Sequence, residues 1–116
     1  MPFKVKNQEK PDKRNSRDGG RVENFARIFE ILGSRTRLKI LKIVANEEKC
    51  VNFLSKKLKL SQPTVSYHLK LLLNLCLVKQ SKTAQWVRYS LDKEKLRKLL
   101  AGFSGVYGIL KQEREK

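Results

Sequence analysis

Two short amphipathic runs are joined by almost nothing in the stretch "KLKLSQPTVSYHLKLL", Lys57 to Leu72. The first, from about Val51 to Lys59, turns Leu54 and Leu58 to one side at i,i+4, and it breaks at Leu60-Ser61. The second starts with Ser61 as N-cap, Gln62 at the first position and Pro63 in the first turn, where a missing backbone N–H leaves no helical bond unmade. Val65, Leu69, Leu72 and Leu75 then recur on one face. A linker this short forces the two helices to cross steeply, the arrangement of a helix-turn-helix.

The flanking pattern completes the architecture. Val22, Phe25, Ile28, Phe29 and Leu32 recur at three- and four-residue steps and predict a first helix ending at Gly33. Ser34 caps a second, with Leu38, Ile40, Leu41 and Val44 as its apolar stripe, which stops near Asn46-Glu47-Glu48. After the helix-turn-helix the period changes. "LVKQSK" and "WVRYSL" read as two short strands around a Thr83-Ala84-Gln85 tip. Asp92 then caps a fifth helix carrying Leu96, Leu99, Leu100 and Phe103, with a Gly-interrupted continuation through Val106, Tyr107, Ile109 and Leu110, and "KQEREK" as a solvated end. The predicted fold is mainly α with a β-hairpin wing: a winged helix-turn-helix in the order α1-α2-α3-α4-β-hairpin-α5.

The 116 residues suit one modest core. Residues 1–20, punctuated by Pro2, Pro11 and Gly19-Gly20, are too polar to bury a core and read as a disordered basic tail; residues 21–116 read as one folded domain. Charge points to the partner. The chain has 27 Lys and Arg against 11 Asp and Glu, a net +16; the tail accounts for +3, so the folded part is itself basic at +13. Such an excess attracts polyanions, nucleic acid first and anionic membrane second. No apolar run approaches the roughly 20 residues of a membrane span, and no apolar segment follows the charges of "MPFKVKNQEK", so a cytoplasmic location without membrane association is expected. One His and scattered acids assemble neither a nucleophile-base pair nor paired carboxylates, and an enzyme is not expected.

The polar start of the fourth helix has a chemical reason. A helix entering the major groove presents its N-terminal turns to base edges, where short and medium polar groups serve: Ser61, Gln62, Thr64, Ser66 and Tyr67. Gln62 and Ser66, one turn apart, are expected to share a face opposite Val65, Leu69 and Leu72. Gln can pair with adenine through two hydrogen bonds. Plain capping explains Ser61 and Thr64 but not the Gln and Tyr. Lys70 on the helix, and Arg37, Lys79, Lys82, Gln85 and Arg88 around it and on the wing, are candidates for backbone contacts that supply register rather than sequence choice.

"ILGSRTRLKILKIV" followed by "CVNFLSKKLKLSQPTVSYHLKLLLNLCLVKQSKTAQWVRYSLD" closely resembles the ArsR/SmtB type of transcriptional repressors, over roughly residues 25–100. The resemblance implies a homodimer built on the first and last helices, with two recognition helices in successive major grooves of a near-palindromic double-stranded DNA operator. Phe25, Phe29, Leu99 and Phe103 are the interface candidates. His68 stands where the family often has a His that reaches a phosphate; packing is its alternative role.

The departures from the family are as informative. Members that sense metals at the third helix carry a C-x-C run at its start, whereas "CVN" keeps Cys50 and has Asn52 at the second position. Members that sense metals at the last helix use His and carboxylate pairs, and "LDKEKLRKLLAGF" holds no His. No metal or other cofactor is therefore expected. Cys50, beside a helix N-terminus and Lys49, is a candidate thiol sensor, with a part-buried capping residue as the favoured alternative. Cys76, where the family usually has a small turn residue, is expected in the core, and Lys59 occupies a turn position often taken by Gly. The wing tip lacks the usual Gly. The function expected is a sequence-specific repressor; a non-specific architectural DNA-binding protein is the alternative that the charge also suits.

Overall fold

Each connection in this molecule is closed by a specific backbone device. In the computed structural model, which describes residues 16–106 and 108, the order is α1 (Ser16–Leu32), α2 (Arg35–Asn46), α3 (Val51–Leu58), α4 (Gln62–Asn74), β1 (Val78–Thr83), β2 (Trp86–Leu91) and α5 (Lys93–Val106). This is the predicted order of the winged helix-turn-helix. Gly33 separates α1 from α2. A Cβ there would stand 3.1 Å from the Phe29 carbonyl oxygen, and its absence lets the Gly33 N–H bond that oxygen at 2.8 Å. Ser34 caps α2, its hydroxyl accepting from the Arg37 N–H at 3.2 Å.

The helix-turn-helix is closed by a left-handed residue. Lys59 (φ 58, ψ 47) follows α3, and the N–H of Leu60 returns to the Ser55 carbonyl at 3.0 Å. Ser61 then caps α4, accepting from the Thr64 N–H at 3.2 Å. Past α4 the same closure recurs: Leu77 N–H bonds Leu72 O, Cys76 N–H bonds Leu73 O, and Cys76 takes φ 62. This corrects the sequence expectation for Cys76. At this position of the turn its side chain is exposed while Leu77 is fully buried.

β1 and β2 pair antiparallel in a register from Val78↔Leu91 to Thr83↔Trp86. Thr83 thus belongs to the strand, and the tip is the two-residue pair Ala84-Gln85, with Ala84 at φ 55. A bridge that the sequence did not announce ties the α2–α3 loop to the wing: Lys49 and Tyr89 exchange backbone hydrogen bonds of 3.0 and 2.8 Å. The core is one cluster: Ile28 of α1; Ile40, Leu41 and Val44 of α2; Leu54 of α3; Val65, Leu69 and Leu72 of α4; Leu77 and Val78; and Leu99 of α5.

α1 differs from expectation at its start. It begins at Ser16 and runs through Gly19-Gly20. A helical glycine costs only about 1 kcal/mol relative to alanine, so two of them need not end a helix. The expected basic tail before Ser16, and the chain beyond Gly108, lie outside the described residues. No helix among the described residues is long and apolar enough to cross a membrane.

Candidate nucleic-acid interface

The N-terminal half of α4 divides its side chains by environment. Val65, Leu69 and Leu72 are buried against α2 and α3, while Ser61, Gln62, Thr64, Ser66, Tyr67 and Lys70 are exposed. At 3.6 residues per turn, Pro63, Tyr67 and Lys70 lie furthest from the buried stripe. Gln62 does not share that outermost face. It flanks the buried stripe on the side of α3, where its Nε2 donates to Asn52 Oδ1 at 3.1 Å. This corrects the expectation of a Gln62/Ser66 face opposite the core; only Tyr67 and its neighbours hold that position. Ser61 Oγ also donates to Thr64 Oγ1 at 2.8 Å, so both hydroxyls at the helix start are engaged with each other.

His68 is half-buried, and its setting is set by Arg37. Arg37 Nε donates to the Ile31 carbonyl at 2.6 Å, satisfying one of the free carbonyls at the end of α1, and Nη1 lies 3.0 Å from His68 Nδ1. A guanidinium can only donate, so Nδ1 accepts and the neutral ring carries its proton on Nε2. Burial, and secondarily the positive charge of Arg37, push the His68 pKa below its ordinary 6.5. Arg37 is thus a clasp joining α1, α2 and α4, a role that its place among basic residues in the sequence does not announce. Nε2–H has no partner among the described residues. The Tyr67 ring packs edge-on to the imidazole, with centroids 5.5 Å apart.

The wing divides its cations between two faces. In the observed register Lys79, Ser81, Arg88 and Ser90 share one face, and Gln80, Lys82, Val87 and Tyr89 share the other. Lys79, Lys82, Gln85 and Arg88 are all exposed, and Gln80 Nε2 donates to Tyr89 Oη at 3.2 Å across the strands. Trp86, half-exposed beside the tip, is an interface candidate that the sequence treated only as a strand former.

Around Cys50 the chain forms a shallow cleft lined by Glu47, Glu48, Lys49, Phe53 and Arg88. The Lys49 ammonium lies 4.2 Å over the Phe53 ring and 3.5 Å from Glu47 Oε1. Cys50 is half-buried at the N-cap of α3 and makes no side-chain capping bond. Asp92 caps α5 through Lys95 N–H at 3.0 Å, and Glu94 pairs with Arg97 at 2.6 Å, so both acids act within their own helix. Among the described residues no group of three or more His, Cys, Asp or Glu side chains is placed to hold a metal ion.

Phe25 and Phe29 of α1 meet Phe103 of α5 edge to face, at centroid distances of 5.3 and 4.9 Å. Leu99 faces the chain's own core, and its neighbour Leu100 is turned outward, 50% exposed.

Residues 34–80, which hold α2 and the whole helix-turn-helix, match the model described as "Bacterial regulatory protein, arsR family". An uncharacterized HTH-type transcriptional regulator of Methanocaldococcus jannaschii is 36% identical over 81 residues, 69% of this chain and 91% of that protein. The chain belongs to the ArsR family. Its fold agrees: the crystal structure of NolR from Sinorhizobium fredii superposes with a TM-score of 0.64 at 30% identity, over 88% of this chain and 97% of that one. A homodimeric winged helix-turn-helix DNA-binding domain from Mycobacterium bovis has the same fold, with a TM-score of 0.64 at 21% identity over 92% and 90%. This ArsR-family protein is accordingly a winged helix-turn-helix transcriptional regulator, and not an enzyme.

Proposed function

We propose that this regulator is a homodimeric, sequence-specific repressor that reads a near-palindromic DNA operator and lacks the family's familiar metal sites. The observation that carries the reading is the division of α4: apolar residues buried, and Gln62, Ser66 and Tyr67 exposed at the end of the helix that such folds insert into the major groove. Gln62, Ser66 and Tyr67 contact base edges, with Ser61 and Thr64 shaping and capping the helix start. Lys70, His68 through its Nε2–H, and Lys79, Lys82, Gln85 and Arg88 of the wing contact phosphates. Arg37 positions His68. Phe25, Phe29 and Phe103, with Leu100 beside Leu99, support a partner face formed by α1 and α5.

The same charge that favours operator binding, net +16, would also suit a protein that coats DNA without sequence choice. Selection of bound duplexes from a random pool, at two salt concentrations, separates the two. An enriched inverted repeat with half-sites about one helical turn apart, around 34 Å, is the expected outcome. A pool without a motif, bound with an affinity set only by salt, would overturn the repressor reading in favour of the architectural one.

A further inference from the structure

The geometry points to Asn52 as a positioning residue for base readout: it holds the Gln62 amide in the orientation that recognises one base pair of each half-site. The inference rests on Gln62 being a base reader.

A glutamine on an exposed first turn is a poor reader by itself, because its amide rotates freely and must be immobilised when DNA binds. Here the amide is already tied. Gln62 Nε2 donates to Asn52 Oδ1 at 3.1 Å, across the turn from the start of α3 to the start of α4. A primary amide carries two N–H donors and one carbonyl acceptor. When the N–H anti to Oε1 is the one held by Asn52, the N–H beside Oε1 stays free, and the two present the donor-acceptor pair that matches N7 and N6 of adenine. Both side chains are exposed, so the bond stands at the surface and not within the core.

Asn52 is the second residue of α3, an element whose N-cap is Cys50 and whose inward residue is Leu54, and the contact its side chain makes is the surface bond to Gln62. Replacing this exposed residue by alanine is therefore expected to leave the urea midpoint close to wild type. An effect on DNA that comes through Gln62 vanishes once Gln62 is itself replaced, whereas a direct contact of Asn52 with DNA does not.

The test compares the full chain with Asn52→Ala, Asn52→Asp, Gln62→Ala and the double alanine variant, by random-duplex selection, operator affinity, salt dependence and urea unfolding. Asn52→Ala is expected to lower operator affinity about two- to tenfold, the range for one side chain left to be ordered on binding. Its loss of preference should fall on the same base pair that Gln62→Ala relaxes, with the urea midpoint and salt dependence unmoved, and the double variant should be no weaker than Gln62→Ala. An aspartate can only accept, so Asn52→Asp should weaken all DNA alike through its charge yet retain the preference. If Gln62→Ala relaxes one base pair and Asn52→Ala relaxes none, or if Asn52→Ala weakens operator and random DNA equally, the positioning role is overturned while Gln62 stands as a reader. If Gln62→Ala itself changes no preference, the reading of Gln62 falls and the role of Asn52 falls with it.

Discussion

His68 shows how one contact sets the chemistry of a residue. Its Nδ1 accepts from Arg37, and protonation would place a positive imidazolium against a positive guanidinium 3.0 Å away. Burial, the larger cause, acts in the same direction, and together they hold the pKa below 6.5. Above pH 6.5 folded and unfolded chains both carry a neutral ring, so the clasp contributes fully. As pH falls below that value the unfolded chain binds a proton that the folded chain resists, and stability declines toward the lowered folded pKa. Urea midpoints measured between about pH 8 and pH 5 should therefore fall with acid. His68→Gln, whose Oε1 can still accept from Arg37 but which does not titrate, should show a shallower fall; an identical slope would remove His68 as the cause. The tautomer itself followed from neither composition nor spacing. It needed the Arg37 guanidinium, 31 positions away in sequence, to be brought to the ring.

At the scale of the element, the wing is a two-stranded ribbon whose side chains alternate between faces. Lys79 and Arg88 share one face and Lys82 the other, so the three cannot all meet one phosphate strand in the same way. Replacing a phosphate-contacting cation by alanine should weaken binding uniformly across sequences and reduce the magnitude of the salt slope by about 1. Lys79→Ala and Arg88→Ala, as residues of one face, should behave alike in a salt titration, and Lys82→Ala is the comparison. Any of these variants that shifted the selected motif would instead be reading bases. The ribbon is anchored at its base by the Lys49–Tyr89 bridge and by the Asp92 N–H bond to Leu77 O at 2.8 Å, so its tip is the part furthest from support. Ala84, at φ 55 in that tip, sits in a backbone region that an alanine adopts less readily than a glycine.

For the whole molecule, burial distinguishes residues that hold one chain together from residues available to a second. Leu99 is in the core, whereas Leu100 is half exposed on α5 and Phe29 retains exposure on α1 beside the Phe25–Phe103 contact. Leu100→Glu, at a position half exposed in the single chain, should lower the urea midpoint only through loss of the partner, so that the midpoint no longer rises with protein concentration as it does in wild type. The same variant should sediment as a monomer and lose affinity for an inverted repeat while retaining weak, salt-sensitive binding to random DNA. A Leu100→Glu chain that still sedimented as a dimer would place the partner face elsewhere.

Much of this architecture was written locally. Ser34, Ser61 and Asp92 are caps because short polar side chains reach backbone N–H groups three residues on, and the apolar periods of α2 and α4 name their own buried faces. The "RTRLKIL", "LSQPTVSYHLKLL" and "WVRYSL" segments were enough to place the family. What the local pattern could not settle were contacts between residues far apart in the chain or set by backbone conformation. Gln62 turns toward Asn52, Arg37 reaches both Ile31 and His68, and Cys76 swings outward at a left-handed turn. Periodicity reports which side of an element is apolar, because burial acts on every residue of a stripe alike. A hydrogen bond between two side chains depends on how two helices cross, and that crossing exists only once the core has packed.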